Sequence, residues 1–114
     1  MIREHWVNTD VMSLPEVKAF DLIFSMDNRA NRVGVNVTKE GVPVELQGSV
    51  IGYIVKPDGT TITKAGQKQD NKAWVDLPAA AYTIPGLVSV FVKVTDENRT
   101  ITLGGVEGIC YKAR

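Results

Sequence analysis

The sequence predicts an all-β protein, an antiparallel immunoglobulin-like β-sandwich of about seven to eight strands with an N-terminal arm. Three observations predict it. Runs rich in Val, Ile, Phe and Tyr are cut by the turn signals Pro57-Asp58-Gly59, Ile84-Pro85-Gly86 and Asp96-Glu97-Asn98. Within the runs, apolar and polar residues alternate with a period of two. The chain has 114 residues, 44% of them apolar, which suits one domain with one core and excludes a disordered chain.

The elements follow in order. Residues 1–17 mix Trp6, Val7, Val11, Met12 and Leu14 with charges at no steady period, and Pro15 breaks the chain. This segment is predicted to be an arm, leaving residues 18–114 as the sandwich. Residues 18–25 (KAFDLIFS) form a first strand with Phe20, Leu22 and Phe24 on one face. A polar turn over 27–31 leads to residues 32–39 (RVGVNVTK), where Val33, Val35 and Val37 oppose Arg32, Gly34, Asn36 and Thr38. Glu40-Gly41 turns the chain into 42–46.

Residues 49–56 are the third strong strand, closed by Pro57-Asp58-Gly59 and returned by 60–64. Residues 65–71 are polar and read as a loop. In 72–77 (KAWVDL), Trp74 and Asp76 face away from Ala73, Val75 and Leu77. Residues 78–82 suit one helical turn, with Pro at its start. Residues 87–95 are the longest strand: Val88, Val90, Val92 and Val94 make its core face, and Phe91 sits on the other face with Leu87, Ser89, Lys93 and Thr95. Residues 100–103 follow, Gly104-Gly105 marks a bulge or bend, and 106–112 finish the sheet.

Composition narrows the function. Lys plus Arg equals Asp plus Glu, 13 each, and the basic residues are scattered singly, so nucleic acid is not an expected partner. The apolar runs are too short to span a bilayer as a helix, and the first ten residues lack the apolar stretch of a secretory signal. Cys110 is the single cysteine, which rules out an intrachain disulfide and suits a buried structural thiol. His5 is the single histidine, has no ligand spacing around it, and reads as a surface residue. Asp96, Glu97 and Asn98 are explained as turn formers before they are explained as calcium ligands. No nucleophile elbow, phosphate loop or zinc motif occurs, so neither catalysis nor a cofactor is expected.

A family resemblance enters on Leu46 to Gly48 entering a strand that ends at Pro57-Asp58-Gly59. It continues with a strand closing on the segment from Leu77 to Tyr82, and with a Gly86-led strand ending in the polar turn at Asn98. In this cadence, residues 18–112 resemble the N-terminal domain of the phage baseplate upper protein family. The resemblance implies a virion structural role. In that family the domain heads a longer chain, whereas this sequence stops at Arg114 and adds the arm. That departure points to a small accessory or capsid decoration protein as well as to a baseplate or tail component.

The expected function is therefore non-enzymatic: a virion protein, assembled in the bacterial cytoplasm, homo-oligomeric, and docked on major capsid or baseplate and tail proteins. Trp6, Val7, Val11, Met12 and Leu14 of the arm, with Trp74 of the body, are the expected partner-binding residues. The alternative is a carbohydrate- or cell-surface-binding module, using Trp74 with Asp76 or Tyr53 with Tyr111.

Overall fold

The computed structural model describes residues 3–10, 16–25, 31–97 and 99–111. Among these residues the strands are β1 (Arg3–Asp10), β2 (Glu16–Ser25), β3 (Asn31–Lys39), β4 (Val42–Pro43), β5 (Ser49–Val55), β6 (Thr61–Ala65), β7 (Gln67–Gln69), β8 (Lys72–Asp76), β9 (Gly86–Asp96) and β10 (Arg99–Tyr111). The helical turn expected from Pro78 is a short 3-10 helix over Ala79–Tyr82. Two sheets result. The first, sheet A, runs β1-β3-β8-β7, with β4 pairing the end of β3; the second, sheet B, runs β2-β10-β9-β5-β6. The all-β sandwich expected from the sequence is the fold observed.

Valine builds the core. Val33, Val35, Val37, Ala73, Val75 and Leu77 project inward from or beside sheet A and meet Val50, Ile54, Val88, Val90, Val92 and Val106 from sheet B. Branching at Cβ favours extended backbone and fills the pleat. Each such side chain, fully buried, contributes about 1.5–3 kcal/mol.

Three features differ from the sequence expectation. Residues 3–10 are strand β1, paired in parallel with β3 from Arg3↔Asn31 to Asp10↔Thr38. Part of the expected arm is thus an edge strand of sheet A, and β2 pairs β10 in parallel too. The chain from 100 to 111 is one strand, because Gly104-Gly105 only shifts the β9–β10 register instead of ending the pairing. The expected loop at 65–71 carries β7. There β6 leaves β5 at Ala65↔Ile51, the Gly66 amide donates to the Val50 carbonyl at 2.8 Å, and Gln67 then pairs with Trp74 of β8. One continuous stretch therefore passes from sheet B to sheet A. A Cβ at residue 66 would lie 2.5 Å from the Trp74 carbonyl oxygen, so only glycine turns this corner.

The β5–β6 turn is held by Asp58. Its Oδ1 accepts from the Thr60 amide at 3.0 Å and from the Thr60 hydroxyl at 2.6 Å. These bonds, hydroxyl first, hold the Asp58 carboxyl below its usual value of 3.8. A depressed folded pKa stabilises the turn above the unfolded value and loses that contribution as pH falls through the folded one. The Thr60 amide resonance is therefore expected to lose its turn-specific shift only below about pH 4. Asp58→Asn should flatten that dependence; an unchanged acid profile in this variant would contradict the assignment.

Candidate functional site

The outward face of sheet A gathers an aromatic pair inside a polar ring. Alternation in β1, β3 and β8 turns Trp6, Gly34 and Trp74 outward, and the registers place them side by side in one row. The benzo ring of Trp6 lies on Gly34. A Cβ built there would meet Cζ3, Cε3 and Cη2 of that ring, the last two at 2.5 and 2.7 Å. Near-equal distances to three adjacent ring atoms mean a face-on seat, which only a residue without a side chain permits. The Trp6 and Trp74 rings are 6.3 Å apart and tilted by 58°.

Charges and amides surround the pair. The Arg32 guanidinium donates to both carboxylate oxygens of Asp76, at 2.7 and 3.3 Å, and lies 3.7 Å from Glu4. The Asp76 hydrogen bond, followed by the two carboxylate charges, raises the Arg32 pKa. The same guanidinium sits 5.6 Å from the Trp74 ring centre, and the Lys72 ammonium 5.8 Å from that of Trp6. Trp6 Nε1 donates to Glu4 at 3.2 Å, and Asn36 donates to Asn8 at 3.2 Å. By contrast, Trp74 Nε1 is buried without a hydrogen-bond partner.

We expect Gly34→Val to unseat Trp6 and to cost about 1–3 kcal/mol, the usual penalty of overpacking. Near-UV circular dichroism and chemical denaturation measure both effects. An unchanged aromatic spectrum at unchanged stability would disprove the face-on seat.

The expected binding residues are thus distributed unevenly. Trp6 and Trp74, 68 positions apart in sequence (74 minus 6), come together. Val7 has no exposed surface and belongs to the core, so it cannot contact a partner in the folded chain. Val11, Met12 and Leu14 lie outside the described residues. His5, expected at the surface, is half-buried, with Nε2 3.2 Å from Asn31 Oδ1. Cys110 falls in β10, opposite Gly86 of β9. Among the described residues, no three His, Cys, Asp or Glu side chains gather where they could hold a metal. No described helix is long and apolar enough to cross a membrane.

A second surface contains Tyr53, which the sequence offered with Tyr111 as an alternative site, but its apolar neighbours were not singled out. On sheet B the inward residues of β5 and β9 are buried, so Ile51, Tyr53, Val55, Leu87 and Phe91 face outward. The ladders align Tyr53 with Phe91 and Leu87 with Ile109. Leu87 and Ile109 are 52% and 44% exposed, high values for paired aliphatic residues in a sheet. The Lys93 ammonium caps this face, 4.5 Å from the Tyr53 ring centre. The available signal was the placement of Leu87 and Phe91 opposite a complete valine face.

No family model matches the chain, and no curated protein matches it. Among solved structures, the chain is similar to the N-terminal domain of phage TP901-1 ORF48. That likeness covers 99% of this chain and 100% of the other, at 7% identity and a TM-score of 0.56. It bears on the fold along the whole chain and, at this identity, on nothing finer.

Proposed function

We propose that this chain is a non-enzymatic structural protein of a phage virion, which docks on other particle proteins through the outward face of sheet B. The observation that carries the reading is the whole-chain likeness in fold to a phage protein domain. The resemblance of residues 18–112 to the baseplate upper protein family supports the same role, and we assign the chain to the baseplate or tail in preference to the capsid. Exposed Leu87 and Ile109, beside Tyr53 and Phe91, supply the apolar centre that a specific interface needs, and Lys93, Thr95 and Glu107 supply a polar rim. Near-zero net charge suits association. The particle is assembled in the bacterial cytoplasm, where a chain held together by its core needs no disulfide.

Mixing the purified chain with baseplate, tail and major capsid proteins, followed by light scattering, tests the role. A stable complex with baseplate or tail proteins is the expected outcome. A complex with capsid protein would move the chain to the head, and no complex with any of them would overturn the reading.

A further inference from the structure

The segment from Val44 to Gly48 is a strap fixed across one end of the sandwich. The Val44 amide donates to the Val37 carbonyl at 3.2 Å, and the Leu46 amide to the Asp70 carbonyl at 3.0 Å. The Lys68 ammonium donates to the Leu46 carbonyl at 3.2 Å. Gly48 then takes a φ of +95° and lays its backbone on β9, where a Cβ would meet the Thr95 carbonyl carbon at 2.9 Å. The strap is thereby tied to both sheets, and the cleft it borders is pre-formed.

That end of the core is open. Val44, Leu46, Val94, Ile101 and Leu103 contribute to the lining of a cavity of about 340 Å³. Val94 is the last inward valine of β9, and Ile101 stands opposite it in the ladder. Ile101 is nonetheless 53% exposed. Leu46, Val94 and Leu103 keep slight exposure, where Val33, Val35, Val75, Val90 and Val92 have none. An apolar group seated here would take this surface out of water and complete the core. The volume lies at the small end of ligand clefts, roughly 300–1,000 Å³, and gives room for one large side chain.

The rim decides what enters. Asp10, Glu45 and Asp96 belong to the lining, and no Lys or Arg occurs among its described residues. Asp10 is held in place, because its Oδ2 accepts from the Thr38 hydroxyl at 3.1 Å and from the Gly41 amide at 3.0 Å. Glu45 and Asp96 are exposed. Arg99 stands opposite Asp96 in the ladder and offsets one of the three charges. The mouth therefore favours an apolar group that arrives with positive charge beside it. A fatty acid or a phosphate would bring a like charge to the same rim.

We propose that this open end receives one aliphatic or aromatic side chain of a partner polypeptide, flanked in that partner by Lys or Arg. The side chain packs among Leu46, Val94, Ile101 and Leu103, and its basic neighbours meet Glu45 and Asp96. Val94 and Ile101 lie at the far end of the β9–β10 ladder from Leu87 and Ile109. This contact and docking through sheet B can therefore fail independently.

The test is a titration of the full chain, labelled at its Ile, Leu and Val methyl groups. The probes are glycine-flanked, end-blocked peptides centred on Lys-Leu-Lys, Lys-Phe-Lys, Glu-Leu-Glu and Lys-Ser-Lys. Lys-Leu-Lys or Lys-Phe-Lys is expected to shift the Val94, Ile101 and Leu103 methyls saturably, with Kd on the order of 1 mM. The other two should bind at least about tenfold more weakly. Glu45→Gln with Asp96→Asn, both at exposed positions, should stay folded and weaken binding of the basic peptides about tenfold. Ile101→Lys should abolish it, with thermal denaturation checking that the variant is folded. No saturable shift up to about 20 mM, as when the chain itself fills the mouth, would overturn the proposal. Equal binding of Lys-Ser-Lys would overturn it in favour of charge alone, and equal binding of Glu-Leu-Glu would remove the basic flank from the partner.

Discussion

Gly105→Ala is expected to destabilise the chain by about 3 kcal/mol, the upper part of the range for overpacking, because the new methyl has nowhere to go. Gly105 is buried in β10, opposite Phe91 of β9. A Cβ there would land on the Val90 carbonyl oxygen, with the Phe91 Cα at 3.1 Å. Both neighbours are backbone in the middle of sheet B, and neither can rotate away as a side chain would. The strands must separate where their ladder is longest. For a chain of this size, 3 kcal/mol lowers Tm by roughly 10–15 °C. In denaturant, the midpoint should fall at constant slope, because the surface exposed on unfolding is the same.

Gly59→Ala is the informative comparison. Gly59 has φ of +88° in the β5–β6 turn, and a Cβ there meets nothing within 4 Å. Its cost is purely conformational and should be about 1 kcal/mol. Gly105 shows no positive φ, so its cost is purely steric. If the two variants lost equal stability, tight β9–β10 packing would not be the reason for glycine at 105.

How much of this was legible in the sequence depends on which residues faced inward. In β3, β5 and β9 every buried position is apolar or glycine apart from the terminal Asn31, and the period of two could be read directly. In β1 the inward row is His5, Val7 and Thr9, and two of its three members are polar. His5 meets Asn31 of β3, a partner 26 positions away, so the strand reads as an irregular arm until the pairing is known. In β7 all three residues are exposed, so no apolar signal exists. The two parallel pairings were also illegible, because nothing local marks a strand's direction.

The aromatic cluster shows the same division. Trp6 and Trp74 were each recognisable as aromatics in need of an explanation. Only the register, which sets both beside Gly34, turns two isolated residues into one surface. Likewise, 65–71 is polar and glycine-containing, and its role as a corner emerges only when Gly66 is seen to leave one sheet for the other. What remained hidden in each case was long-range pairing, which is specified by a partner strand and not by the segment's own composition.

Replacing the Leu87–Ile109 pair by Leu87→Lys with Ile109→Glu is expected to weaken docking by roughly 100-fold or more while the domain stays folded. The two residues are cross-strand neighbours, so the new charges lie opposite one another and can pair. Net charge is unchanged, which excludes a general electrostatic effect. Both side chains are already about half solvated, so stability should move by no more than about 1 kcal/mol. At an interface the same charges must lose their water, and apolar anchors at such positions are worth about 2 kcal/mol or more each. Val42→Lys is the control, because Val42 is 64% exposed but sits on β4, in sheet A. Incorporation into particles, measured against thermal stability for each variant, decides the matter. Loss in the double variant alone supports docking through sheet B, and wild-type incorporation of a folded double variant would remove that face from the interface.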